Sequence, residues 1–408
     1  MTAGALHGHV LSPLPGGGFD ACRDGSLFWD DQGRLLEEQD DSAVPSAGFR
    51  DDVLLVPGLV DAHIHLPQVR VRGRFQEALL PWLRNHIWPE EERFAERSYR
   101  EAVTTEFRLG LLAAGTTAAM VYGSPEADSV HAVLRDLAPL CIRGGDVLMD
   151  RNGPRALLRD SGRALRDCAS HLSEYGSRYV LTPRFAPTCG DELLSGCGSL
   201  LRKYEASLQT HLAENLDEIE WVADLFAGSR SYTAVYERFG LLGPRSIFGH
   251  CIHLDEVDVQ ALVASGSWVA HCPTSNVALG SGRMPVERFA AAGLRYALAT
   301  DVGAGPELSM LDVMRSFLEV HRGFAELSPL DALRGATLSG AEALGEGQSR
   351  GALCAGRQAD VVALHIPGGL GRGESLSEAL GRLLVDFQGR YDEAVVGVWI
   401  AGEQVHRP

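Results

Sequence analysis

The stretch Val53-Leu-Leu-Val-Pro-Gly-Leu-Val-Asp61-Ala-His63-Ile-His65-Leu-Pro-Gln68 is an apolar run that ends in two histidines. Eight apolar or small residues, too short for a helix, predict a buried strand. Residues two apart on a strand project from the same face, so His63 and His65 point together. Two imidazoles at the carboxyl end of a buried strand can share one metal ion, with zinc the usual cation for nitrogen ligands. The pair alone fits two polar residues at a strand edge equally well, so the metal reading depends on ligands further along the chain.

Beyond this run, strand-like and helical segments alternate. Strand-like runs occur over 116–122, 141–149, 179–183, 207–211, 246–250, 267–271 and 295–300, with helical patterns such as 98–114, 216–226 and 255–265 between them. With the first strand these make eight β-then-α units. That number fits a (β/α)8 TIM-type barrel, with an open doubly wound sheet as the alternative. The barrel is favoured because the candidate ligands end the first, fifth, sixth and eighth strands, which only a closed ring brings to one mouth. The two chain ends share a different style, with short apolar patches, Gly-rich turns and strand-like runs at 359–365 and 395–402 joined by a Gly-rich loop. Residues 1–55 and 351–408 are therefore expected to form one small discontinuous β-sandwich domain flanking a catalytic barrel over 56–350.

The fifth strand ends Gln209-Thr-His211-Leu-Ala-Glu214, which places a third imidazole at the mouth and a carboxylate in the following turn. His211 reads as a ligand and Glu214 as a general acid/base. Asp217, Glu218 and Glu220 read instead as an acidic helix start favoured by the helix dipole. The eighth strand ends Thr300-Asp301-Val-Gly-Ala-Gly305, where a carboxylate is followed by glycines that let backbone approach a ligand. Three histidines and Asp301 make a metal set that still leaves room for water. His250, at the end of the sixth strand, then serves the water or the substrate. His271 is a positioning residue or part of a structural turn, and His253 lies at the surface or behind the site. The only lysine, Lys203, is remote from every barrel strand end, so no lysine can bridge a second ion and one metal is expected.

A formal charge of −17 argues against a phosphate-tracking surface and hence against nucleic acid as a partner. The eight cysteines contain no C-x-x-C pair, the N-terminus has no basic region before an apolar core, and no apolar stretch is long enough to span a membrane. A reduced, cytoplasmic protein with no membrane partner is expected. Without P-C-x-x-C, the cytidine-type zinc deaminases are excluded.

Seven segments resemble the amidohydrolase superfamily, and within it the branch that deaminates guanine. They are PGLVDAHIHLPQ from Pro57, MDRNGP from Met149, PRFAPT from Pro183, HLAENLDE from His211, GHCIHLD from Gly249, HCPTSN from His271 and TDVGAG from Thr300. The resemblance runs from about residue 54 to 360 and departs at His86 and Trp88. It implies one zinc ion per subunit, with iron(II) as the alternative, on His63, His65, His211 and Asp301. It also implies Glu214 as proton shuttle, with His250 and Asp301 beside the attacking oxygen, and a purine base held by Gln68, Arg184 and Phe185 together with His211, Glu214 and Asp301. The implied reaction is hydrolysis of guanine to xanthine and ammonia in an enzyme that is expected to be a homodimer. Related amino-heterocycles (ammeline, a pterin, 8-oxoguanine or cytosine) are the alternative substrates, and a metal-free scaffold is a remote third reading.

Overall fold

The computed structural model describes residues 3–37, 50–75 and 79–407; the part of the N-terminal segment over 38–49 lies outside them. In chain order the strands are β1 (Gly4–Pro13), β2 (Phe19–Trp29), β3 (Val53–Pro57), β4 (Leu59–His65), β5 (Thr116–Tyr122), β6 (Cys141–Gly145), β7 (Val147–Leu148) and β8 (Val180–Pro183). They continue with β9 (Ser207–Leu212), β10 (Ser246–His250), β11 (Trp268–His271), β12 (Arg295–Leu298), β13 (Val361–His365), β14 (Val395–Ile400) and β15 (Glu403–His406).

Strands β4 to β12 form the barrel. Parallel pairing runs β4-β5-β6 and β7-β8-β9-β10-β11-β12, and a bridge between Gly144 and Tyr179 joins β6 to β8. The ring closes between its last and first strands, where the Asp301 amide donates to the His63 carbonyl at 2.9 Å and the Thr300 amide to Asp61 Oδ1 at 3.1 Å. With β6 and β7 counted as one interrupted strand, this is the eight-stranded barrel, not the open sheet. Helices cover its outside. Arg97–Ala113 turns Tyr99, Val103, Phe107 and Leu111 inward at helical spacing, and Leu216–Leu225 starts at a capping box between Asn215 and Glu218.

The two chain ends meet in a six-stranded mixed sheet of order β15-β14-β13-β3-β1-β2. Strand β3 lies inside it, parallel to β1 and antiparallel to β13. Its side chains alternate. Val53 and Leu55 join Val10, Leu27, Trp29, Val361 and Ala363 in the core of the small domain, while Leu54 and Val56 join the main core over the barrel helices. No helix among the described residues is long and apolar enough to cross a membrane.

Two features differ from the sequence expectation. The apolar run before His63 is two strands, not one, because it changes sheets at Gly58. There the amide donates to the Asp360 carbonyl at 2.9 Å, and an added Cβ would lie 2.1 Å from Thr117 Oγ1. Apolar periodicity does not register such a break, since both halves are buried. Between β13 and β14 the expected loop contains a helix, Leu376–Asp386, opened by a capping box of Ser375 and Glu378. Its buried positions Leu376, Ala379, Leu380, Leu383 and Leu384 carry the helical spacing, which the flanking glycines mask.

Gly58→Ala is expected to destabilise the fold by about 1–3 kcal/mol through overpacking. Thr117→Ala in the same chain should recover part of that loss, as read from urea unfolding of the single and double variants.

Candidate active site

His63 and His65 end β4, His211 lies in β9, and Asp301 follows β12. One ligand atom from each lies within 4.8 Å of all the others, so the structure brings the four together. His63 Nε2 and His65 Nε2 lie 3.3 and 3.1 Å from Asp301 Oδ1. His211 Nδ1 is 2.7 Å from the Arg184 carbonyl and must donate to it, which leaves Nε2 to face the cluster. Burial pushes His63 down to about 4 and His211 well below the usual histidine range, so both rings are neutral and carry a lone pair at pH 7. Burial alone would raise Asp301, but hydrogen bonds from His63 and His65 pull it well below the ordinary carboxylate range. Three neutral imidazoles converging on one ionised carboxylate fit a divalent cation. Lys203 lies exposed on the helix Asp191–Tyr204 and contributes nothing here.

Glu214 and His250 border the same cavity. Glu214 Oε2 lies 3.5 Å from His250 Nε2, and burial pushes its carboxyl up to about 7. Burial opposes protonation of His250, yet the Glu214 and Asp301 carboxylates raise it on balance. The segment after β11 holds all three acid/base candidates. Ser275 Oγ donates to Asp301 Oδ2 at 2.6 Å, Asn276 Oδ1 lies 2.9 Å from His250 Nδ1, and Ser281 Oγ donates to Glu214 Oε1 at 3.1 Å. His271 itself turns away, its Nε2 2.9 Å from His321 Nε2, so it is not part of the cavity. His253 lies behind the site, where Nε2 meets the Ser281 carbonyl at 2.9 Å. Asp217 and Glu220 are exposed, as an acidic helix start should be. Glu218 departs from that expectation: it is buried, borders the cavity, and accepts from the Glu214 and Asn215 amides at 2.9 and 3.2 Å.

The opposite wall carries Gln68, Arg184 and Phe185. Arg184 is not a lone donor, because its Nη1 is 2.6 Å from Glu91, which also takes the Gln68 amide at 3.0 Å. Glu91 looks like one of three solvated acids in Glu90-Glu91-Glu92, and nothing in that run marks it as buried. Leu79, Trp82 and Leu83 supply the apolar face with Phe185, Leu279 and Ala304. Trp88 packs behind them and His86 is partly exposed, so neither borders the cavity. The backbone freedom at Gly303, φ 124°, serves Gln68: a Cβ there would lie 2.0 Å from Gln68 Oε1.

Four non-glycine residues at these strand ends have positive φ: Ala213 (51°), His250 (68°), Cys251 (53°) and Asp301 (50°). Each such residue costs energy that the surrounding hydrogen bonds must offset, and such positions concentrate at functional sites. Cys251 N donates to Leu212 O at 2.9 Å, and Gly305 N to Asp301 O at 2.6 Å.

A closed parallel barrel with three imidazoles and a carboxylate gathered at its mouth defines the class of barrel hydrolases. Residues 54–405 match the amidohydrolase family, and the chain belongs to it. It is 37% identical to a Deinococcus radiodurans protein that carries the guanine deaminase name, over 88% of this chain and 86% of that one. It is 36% identical to the guanine deaminase of Escherichia coli K12, over 76% of this chain and 73% of the relative. The fold superimposes on the guanine deaminase of C. acetobutylicum with bound guanine at a TM-score of 0.91 and 27% identity, covering 99% of this chain and all 100% of the other.

Asp61 is the residue beneath the cluster that sequence reading passes over. Its Oδ1 accepts from the His63 and Thr300 amides, both at 3.1 Å, and Oδ2 accepts from the Thr300 hydroxyl. Asp61→Ala leaves the buried His63 and Thr300 amides without their acceptor, so it is expected to cost about 1–3 kcal/mol of stability. Comparing unfolding of the variant and the parent with metal removed checks this without interference from metal binding.

Proposed function

We propose that this site hydrolyses guanine to xanthine and ammonia with one zinc ion held by His63, His65, His211 and Asp301. The observation that carries the reading is that one cavity is bordered by His65, His211 and Asp301 of the His/Asp cluster, by Glu214, and by Gln68 and Arg184 with an aromatic face beside them. A divalent ion bound there supplies a water acidic enough to be deprotonated near neutral pH, and a Lewis acid beside it.

The remaining work falls to the protein. Arg184 presents N–H donors suited to the O6 and N7 acceptors of the purine, Gln68 can meet a second edge, and Phe185 offers a stacking face. The side chains of Leu79, Trp82 and Leu83 exclude bulk water around the ring. Glu214, with its carboxyl pushed up to about 7 by burial, can take a proton from the attacking water and hand it to N3 of guanine. Protonation at N3 draws electrons from C2, where the oxygen adds. The oxygen added at C2 then gives up its own proton to Asp301 or Glu214, which passes it to the amine; the C2–N bond breaks, the C2 carbonyl forms, and ammonia leaves. His250 is anchored through Nδ1 to Asn276, so Nε2 is aimed at the two carboxylates and can steady the oxygen between them.

The fully active protein is expected to contain a single tightly bound divalent ion per chain, and His211→Ala to lose it. Glu214→Gln should keep the ion while losing about 10²- to 10⁴-fold in kcat, as general acid/base groups do. Elemental analysis alongside steady-state rates separates the two roles, and loss of metal in the Glu214 variant would make that residue a ligand.

A pocket that hydrogen-bonds O6 should reject 2-aminopurine, which lacks it, by about 10⁴-fold in kcat/KM. Arg184→Lys keeps a cation beside Glu91 but loses the planar fork, so the guanine to 2-aminopurine ratio should fall by at least about tenfold. An unchanged ratio would show that Arg184 does not read O6, and a wild-type preference for ammeline or a pterin would change the substrate while keeping the reaction.

A further inference from the structure

Gln68 and Arg184 border the cavity, and Glu91 stands behind both, 2% exposed. Glu91 Oε1 accepts from Gln68 Nε2 at 3.0 Å and from Arg184 Nη1 at 2.9 Å, while Oε2 accepts from the same Nη1 at 2.6 Å. An ionised carboxylate can only accept hydrogen bonds, so of the two ends of the Gln68 amide only the nitrogen can face it. The orientation of a buried amide, often open, is thereby settled by its partner. Gln68 Oε1 is turned to the side where Gly303 leaves room for it. What remains of Gln68 for a ligand is an acceptor oxygen and one N–H.

Arg184 is affected as well. Glu91 is bonded to Nη1 alone among its nitrogens and offsets the charge of the guanidinium. The edge of the pocket therefore offers strong donors with little net charge, which suits a neutral ring bearing an oxo group better than an anion.

We infer that Glu91 is a positioning residue that fixes the Gln68 amide and neutralises Arg184, and so makes the pocket selective for a neutral oxo-substituted ring. This deepens the guanine reading and rests on it. A buried ion pair that only supported the fold would, on removal, weaken every ligand alike, whereas a positioning role changes the discrimination between ligands.

The test uses the metal-loaded enzyme and two non-reacting probes, hypoxanthine, which carries the 6-oxo group, and purine, which lacks it. In Glu91→Gln the competitive inhibition constant of hypoxanthine is expected to rise about 10- to 100-fold, the scale of a lost charge-assisted hydrogen bond, with that of purine little changed. Metal content and melting temperature are measured on the same samples. If the two constants move together, or neither moves, the inference is overturned. Should Glu91→Gln not fold, Glu91→Asp keeps the carboxylate but draws it back by one methylene, and the same selective loss is expected on a smaller scale. Wild-type kcat/KM for guanine tests the underlying reading separately. If another oxo-heterocycle is preferred, that reading falls, and the role of Glu91 is decided by the same pair of constants for that ring with and without its oxo group.

Discussion

Closure of the barrel between its first and last strands falls on the same residues that gather the candidate ligands. Asp61 joins β4 to the end of β12 by accepting from Thr300, and Asp301 donates its amide to the carbonyl of His63. Sequence neighbours of these groups are the ligands themselves. The hydrogen bonds that shut the ring thus also set the spacing of His63, His65 and Asp301, and any slip of one strand against the other would separate the imidazoles from the carboxylate. Burial pushes the Asp61 carboxyl up to about 7 against those hydrogen bonds, a cost accepted at the one place where the ring must not open.

Around this seam the work is divided between strands and loops. Strand ends place the groups that must not move, and several of them are held at positive φ, a conformation that hydrogen bonds on both sides keep in place. The segment from Cys272 to Ser281 donates one hydrogen bond each to Asp301 and Glu214 and accepts one from His250. Three groups at the ends of three strands, placed by the barrel, are therefore oriented by one short piece of chain.

Much of this was legible in the sequence because it follows from period. The two-residue spacing of His63 and His65, the βα rhythm and the strand-end positions of His211, His250 and Asp301 all follow from alternation along a strand, and the structure places those side chains at one mouth. What period does not carry was not legible. The break at Gly58 leaves an unbroken apolar run on either side. The turning of His271 toward His321 depends on a helix that follows it by 50 residues. Glu91 meets Arg184 across 93 residues and sits in a run of three acids that looks solvated. Ser275, Asn276 and Ser281 are small polar residues of the kind that fill ordinary turns, and only the path of the loop gives them partners.

The place of β3 inside the mixed sheet bears on how the chain is made. One of its edges is covered early by β1, but the other pairs with β13, which begins at Val361 in a chain of 408 residues. For most of the time that the polypeptide is being synthesised, Val53-Leu-Leu-Val presents an open, apolar β edge directly ahead of the two histidines. Such an edge is a template for pairing with another nascent chain. A C-terminal truncation that spared every residue of the barrel but removed β13 would leave that template uncovered.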